Sequence, residues 1–447
     1  MNSIYNLQQG RAKLDKLQET VALGSNINRP SDNPIGSSML LSISDQLKAG
    51  EHHASNISKA NTFLQVTSTA LQGMADTMQL AKQLMANISS GSNDQTELAN
   101  TVSQLQALKQ QMVDMGNTQV GNQYVFGGAN NQIKPFRAGD IGIAATSVTN
   151  VDTTGLVDGM TVSGSGIPPN TIIKITNNGT AGAFDLYDST TNSLIATPPG
   201  TSNTSALSAA SLYFGDNTQL KVETSTGNSQ KLNIPGNQVL LGTVLITGDI
   251  SNDSNNNNII DNVNIPGLSS GMELSGTGIP AGTKIGIVTQ PTSTIPGSFT
   301  LVDANGDPVS GINITPNASI TISLPYGTTN ILQTFDDLID AVKNNRVATV
   351  TGPPVLPGIQ AGAQALEAGA GQITRAQTDV ASWMTRLDSA SKMNTNSKTT
   401  LETIVSNTQN VDYAKLAVEL TQQQTAFQAS LSATAKVTQL SLLDYMQ

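Results

Sequence analysis

The sequence predicts an α+β protein. Both chain ends build a long coiled-coil-like helical bundle, and an all-β middle containing two copies of a small β module is inserted between them. Three observations predict this. First, composition changes twice along the 447 residues. Residues 1 to about 132 are rich in Ala, Leu, Met and Gln, residues 137 to 326 in Gly, Thr, Asn, Ser and Pro, and helical composition returns from about 328. Second, the helical stretches carry a seven-residue apolar period. Third, the middle contains an internal duplication. A foreign middle between two helical ends implies that the ends pair with each other.

The elements follow in order. Ile4, Leu7, Leu14, Leu17 and Val21 share one side of an amphipathic first helix. Asn33 is placed to N-cap a second helix whose first residue, Pro34, has no N–H to leave unpaired. Along that helix Ile57, Ala60, Leu64, Thr67, Leu71, Met74, Met78, Ala81, Met85 and Ile88 alternate spacings of three and four without a slip. Asp94 with Glu97 resembles a capping box ahead of the repeat Leu98, Thr101, Leu105, Leu108, Met112 and Met115. On the C-terminal side Leu366, Gly369, Ile373, Ala376, Val380, Trp383, Leu387 and Ala390 follow the same period, continuing through polar Asn394 and Ser397 to Leu401 and Ile404. A narrow seam of this kind is buried by another helix. From 361 to 408 it predicts a helix about 70 Å long. Asn410 or Asp412 restarts a last helix bearing Leu416, Leu420, Phe427 and Leu431, with Leu440 and Leu443 beyond.

The duplication lies at a constant offset of 112: GLVDGMTVSGSGIPPNTIIKI at 155–175 against GLSSGMELSGTGIPAGTKIGI at 267–287, twelve of 21 positions identical. Alternating apolar residues between Gly/Pro turns predict short antiparallel strands. The expected organisation is terminal helices at 1–35 and 410–447, a helical rod at 36–136 and 328–409, and a β region at 137–327. Its modules cover about 138–205 and 255–325, around a central β element at 211–245.

Composition excludes several functions. The chain carries a net charge of −10 and no Cys, and its two histidines, His52 and His53, are adjacent. Acidity argues against nucleic acid. Absence of Cys removes thiolate chemistry and disulfides, and adjacent histidines on a helix point about 100° apart and cannot share one ion. His53 falls on the seam projected back from Ile57. Gly276–Gly282 lacks the strand-to-helix context of a phosphate loop. Asp303, Asn305 and Asp307 imitate a calcium loop without its Gly or closing Glu. Ser389-Ala390-Ser391-Lys392 sits inside a seam helix without companion motifs. Asp336, Asp337 and Asp340 read as a solvated helix face. No cofactor and no enzymatic activity are predicted, no apolar run is long enough for a membrane span, and no apolar leader of the secretory type opens the chain.

Two stretches resemble a known family. Ile27-Asn28-Arg29-Pro30-Ser31-Asp32-Asn33-Pro34-Ile35-Gly36 is similar to a loop of the flagellin-like superfamily, which commonly has a second Asp where Asn33 stands. Leu420–Ser430 and Gln439–Met446 resemble the C-terminus of its hook–filament junction branch, the hook-associated protein 3 family, as do Gln123–Gly128, Pro135-Phe136, Tyr213–Asp216 and the stretch from Asn330 to Leu338. That family begins with a short extended stretch, whereas here Met1 enters the first helix almost directly; the two β modules are additions, expected to be exposed.

The resemblance implies a structural adaptor, a bacterial flagellum location outside the cell, and export by the flagellar type III apparatus. The implied partners are hook-associated protein 1 below, flagellin above, further copies in a junction ring, and an export chaperone. The assembly interface would be Ile4, Leu7, Leu14, Leu17, Val21, Leu416, Leu420, Phe427, Leu431, Leu440 and Leu443. The loop Arg29, Pro30, Ser31, Asp32, Asn33 and Pro34 would touch neighbouring subunits. The terminal stripes are marginal as isolated helices, so the ends are expected to be largely disordered until they dock. Two other readings are a filament subunit, and an adhesin or glycan-binding protein acting through the β modules.

Overall fold

The structure is a computed structural model. It describes the chain apart from residues 1, 89–93, 142–145, 165–166, 168–170, 189–191, 196–206, 217, 247–258, 264–272, 277–278, 281, 290–296, 304–306, 310–319, 324–325, 328, 351–355 and 446–447. For 2–4, 141, 164, 207–210, 243–246, 259–263, 273, 275–276, 288–289, 297–298, 320–323 and 437–445 it describes the backbone alone. Six helices are described: α1 (Asn2–Leu23), α2 (Pro34–Ile88), α3 (Gln95–Gly116), α4 (Ile331–Lys343), α5 (Ile359–Gln409) and α6 (Tyr413–Tyr445). The chain divides into two units, one of residues 1–57, 224–227 and 389–447, the other of 58–223 and 228–388.

The larger unit holds the helical rod. All ten seam positions from Ile57 to Ile88 are buried, as are the seven from Leu366 to Leu387. The seam segments of α2 and α5 run antiparallel, since Gln72 meets Gln377 (3.2 Å) and Lys82 pairs with Glu367 ten residues on. Gly369 explains how close they come: a Cβ added there would lie 2.9 Å from both Met78 Cε and Ile331 Cγ1. Asp94 caps α3, its carboxylate accepting from the Gln95 N–H at 2.8 Å. Asn330 caps α4 through the Gln333 N–H at 3.0 Å.

The β region contains two six-stranded antiparallel sheets among the described residues. A short hairpin precedes them, β1 (Gln119–Val120) with β2 (Gln123–Tyr124). The first sheet uses β3 (Phe136–Ile141), β4 (Ser147–Val151), β5 (Ser163–Gly164), β6 (Thr171–Asn177), β7 (Gly182–Asp188) and β8 (Leu207–Tyr213) in the order β5-β8-β3-β4-β7-β6. Next come a hairpin, β9 (Lys221–Ser225) with β10 (Asn228–Lys231), and a π-helix at Asn237–Leu241. The second sheet uses β11 (Thr243–Ile246), β12 (Ile259–Val263), β13 (Glu273–Gly276), β14 (Lys284–Thr289), β15 (Gly297–Val302) and β16 (Ile320–Ser323) in the order β11-β16-β13-β14-β15-β12.

The two orders are one ring cut at different joints. In the first sheet a single bridge, Thr161 to Ile172, joins the β5 end to β6. With that link, numbering each module's strands 1 to 6, both read 1-6-3-4-5-2 around the ring. Within the duplicated stretches Val162 and Leu274, and Ile173 and Ile285, are equivalent buried positions; beyond them, at an offset of 115, Phe184 and Phe299, and Leu186 and Leu301, are buried too. The repeat therefore preserves packing. The modules extend beyond the duplicated segments, because each recruits a first and a last strand that pair with one another, Phe136 opposite Tyr213 and Thr243 opposite Ser323. The segment 211–245 is shared out accordingly: its start closes the first sheet and its end opens the second.

Candidate functional site: the paired chain ends

The smaller unit is built from α1, the loop after it, the first part of α2, the last part of α5, and α6. Helices α1 and α6 pack side by side. They run antiparallel: Gln423 Nε2 donates to the Gly10 carbonyl (3.2 Å), while Gly24 lies beside Tyr413. Gly10 admits the Phe427 ring, which an added Cβ would approach to 3.3 Å. Gly24 ends α1 at φ +68°, the left-handed conformation that glycine adopts without strain.

Both interhelical breaks lie together. Ser25 forms a β-bridge with Asn410, the Asn26 N–H donates to the Gln409 carbonyl (2.7 Å), and the Asn26 amide donates to the Asn410 carbonyl (3.2 Å). Asp412 starts α6 by accepting from the N–H groups of Ala414 and Lys415 at 3.0 and 3.1 Å. Asn33 starts α2 by accepting from the Gly36 N–H at 2.9 Å. Farther along, Asn394 on the α5 seam donates to the Gly50 carbonyl (2.8 Å), so the polar seam position is satisfied by backbone.

The loop's two charged side chains are engaged within the chain. Arg29 pairs with Glu19 at 3.1 Å, and Asp32 with Lys16 at 2.9 Å. Asp32 also accepts from the backbone N–H groups of Arg29 (3.0 Å) and Asn28 (3.2 Å), so one carboxylate both shapes the turn and ties it to α1. The Lys16 hydrogen bond, aided by those N–H groups, holds the Asp32 carboxyl below its ordinary value. Pro30, Ser31, Asn33 and Pro34 are exposed.

The apolar stripes are only partly covered. Leu7, Leu14, Leu17, Val21, Leu420 and Phe427 are half-buried, Leu416 is buried, and Leu431 is 46% exposed. Ile4 lies on α1, and Leu440 and Leu443 on α6, but their side chains lie outside the described residues. Among the described residues, Ile43, Ile57 and Leu416 are the buried apolar side chains of this unit. Ile35 is 84% exposed, Leu41 67%, Leu23 61% and Tyr5 61%. A groove lined by Ile35, Met39, Ile43, Leu401 and Ile404 runs between α2 and α5. It collects apolar surface that the periodicity marked on α5 but not on α2.

Other marked residues have plainer roles. Asp336 does not lie on a solvated face. It pairs with Lys109 of α3 at 2.6 Å, with both side chains nearly buried, because α4 packs that side against α3. Burial pushes its carboxyl up despite the lysine. Asp340 binds Arg346 at 2.7 Å. His53 is half-buried and His52 exposed; Ser389 and Lys392 are exposed. Asp303 and Asp307 close a turn on each other, the Asp307 N–H donating to the Asp303 carboxylate (2.9 Å). Among the described residues no His, Asp or Glu cluster could hold a metal ion, and no helix is long and apolar enough to cross a membrane.

Comparison with known proteins agrees with this arrangement. The bacterial flagellin N-terminal helical region matches residues 1–131, and the bacterial flagellin C-terminal helical region matches 363–446. The two ends of the chain are thus similar to the two helical regions of bacterial flagellin. The chain is also similar to Flagellar hook-associated protein 3 of Salmonella typhimurium, 25% identical over 137 residues. That stretch is 30% of this chain and 42% of the relative, so the match spans less than half of the relative's length. The Escherichia coli protein of the same name matches to the same extent. Among solved structures, Xanthomonas campestris FlgL is 16% identical, with a TM-score of 0.39 over 81% of this chain and 97% of that one. The Legionella pneumophila flagellar junction protein FlgL is 14% identical, with a TM-score of 0.39 over 83% and 100%.

Proposed function

We propose that the protein is a structural adaptor at the flagellar hook–filament junction. One observation carries the reading: the apolar stripes of α1 and α6 cover each other only in part, leaving six of their residues half-buried and Leu431 exposed. An unpartnered apolar face of this extent is expected of a surface completed by other molecules. Leu7, Leu14, Leu17, Val21, Leu420, Phe427 and Leu431 would form the interface, with Ile4, Leu440 and Leu443 extending it, and the loop from Arg29 to Pro34 would meet neighbouring subunits. Likeness to proteins named hook-associated protein 3 supports placing this interface between hook-associated protein 1 and flagellin, in a ring of copies.

A helix pair holding so little buried surface is marginal alone. The ends are therefore largely unfolded in the free subunit and fold as they dock, which ties assembly to a template. An export chaperone covers the C-terminal stripe beforehand, and the flagellar type III apparatus carries the chain outside. The test is a strain lacking this gene. Hooks without filaments, together with soluble flagellin in the medium, are expected. Normal filaments would overturn the adaptor role.

A further inference from the structure

We propose that Asn178 is a latent deamidation site in the first β module, held in check by the buried hydroxyl of Thr153. The chain contains two Asn-Gly pairs, Asn178-Gly179 and Asn305-Gly306, the second outside the described residues. Asn-Gly is the pair most open to this reaction, because glycine has no Cβ to hinder attack by its own nitrogen. The Gly179 nitrogen loses its proton to base and attacks Asn178 Cγ, and the side-chain nitrogen leaves as ammonia. Water then opens the succinimide to aspartate or isoaspartate. The step needs only water and base, and it is redox-neutral.

Residues 178–181 connect β6 to β7 at the surface, and the Asn178 side chain is exposed. The Gly179 N–H, however, points inward and donates to Thr153 Oγ1 at 2.8 Å. Thr153 is 0% exposed, so the proton that must be removed faces an oxygen that solvent does not reach. The same oxygen lies 3.1 Å from Asn178 Oδ1, 3.2 Å from the Gly179 carbonyl and 3.3 Å from the Asn177 carbonyl. The Thr153 N–H donates to the Gly179 carbonyl at 2.9 Å. One residue thus grips Gly179 from both sides and holds the reacting side chain in place. Thr153 follows β4 in sequence, so the grip exists only while β4 and β6 lie in the folded sheet. Unfolding the module exposes the nitrogen. Isoaspartate, once formed, adds a methylene to the turn's main chain and breaks the two-way contact.

The test is intact-chain incubation at mildly alkaline pH, followed by peptide mass spectrometry of the Asn178 peptide. In the native protein, conversion is expected to be at least about tenfold slower than in the same chain in denaturant. Thr153→Val, which keeps the shape but removes the acceptor, is expected to speed native conversion about three- to tenfold, the kinetic equivalent of one ordinary hydrogen bond. Thr153→Ser, which keeps the oxygen, is expected to restore protection and controls for a folding defect in the Val variant. Equal rates in native and denatured chain would overturn the proposal. So would a Thr153→Val rate equal to the native rate, or no difference between the Val and Ser variants.

Discussion

The same sequence pattern has two fates in this molecule. In the larger unit the seam between α2 and α5 is buried: Leu64, Leu71, Met74 and Met78 of α2, and Leu366, Ile373 and Val380 of α5, are inaccessible, while Leu108 and Met115 of α3 are half-buried. In the smaller unit, α5 keeps the same register through Leu401 and Ile404, which are only half-buried, and on α2 the register projected back from Ile57 holds Ile43 buried but Met39 45% exposed. On α5 the register continues, though through polar Asn394 and Ser397; what changes besides is the supply of covering side chains. The larger unit brings α3 and α4 onto the bundle, with Phe335 and Leu338 buried. The smaller unit has α1 and α6, which cover each other through a glycine and polar contacts. A seam can therefore be written continuously in sequence and be a closed core in one place and only half covered in another.

Four experiments sharpen or break the contrast. Leu71→Ala in the larger unit should cost about 2–5 kcal/mol, because a fully enclosed methyl pair leaves a cavity; urea unfolding of the larger unit measures it, and a cost below about 1 kcal/mol would mean that the seam is not the core. Next is Gln372, fully buried on α5. It bonds the Val239 carbonyl and both the carbonyl (3.1 Å) and N–H (3.2 Å) of Thr329. Gln372→Leu should cost about 2–3 kcal/mol by stranding those groups, read in the same unfolding experiment.

Leu431→Ala should change the isolated subunit by no more than about 0.5 kcal/mol, as for other exposed positions. The adaptor reading predicts, in contrast, a loss of filament growth in cells. Normal motility with this variant would remove Leu431 from the interface. The smallest effect concerns pH. Asp32 has a carboxyl value lowered in the fold, so its contribution is fully present above the unfolded value of 3.8 and is lost as pH falls through the lower folded one. Asp32→Asn should abolish that acid-range change in the Asn28 and Arg29 amide resonances. An unchanged titration would mean that the turn is held by something else.

Legibility in the sequence followed the range of the interaction. The caps at Asn33 and Asp94, the seam positions and the duplicated strands depend on residues a few places apart and could be read directly, whereas the start of α6 was narrowed only to Asn410 or Asp412. The apolar stripes on α1 and α6 were legible in the same way. Of the groove beside them, Leu401 and Ile404 were legible and Ile35 and Met39 were not. The α2 residues precede the stretch where the seam was counted, and their exposure depends on which helices arrive nearby.

Polar contacts across long separations were equally invisible. Asp336 looked solvated until α4 laid it against Lys109, 227 residues away. Tyr213 carried only a family resemblance. In the fold its hydroxyl donates toward the Phe126 and Asp216 carbonyls (2.9 and 3.1 Å) and accepts from the Gly236 N–H (3.2 Å), and burial pushes its phenol well above the ordinary value. By itself, then, the sequence determined which stretches are helical, where they start, which side of each is apolar, and that one β module occurs twice, since local periodicity and turn chemistry encode these. Only the tertiary structure decided which apolar sides are covered, which carboxylates are buried, and how the two modules close the same ring at different joints. Burial and strand pairing depend on what the rest of the chain brings alongside, and that is not a local property of any stretch.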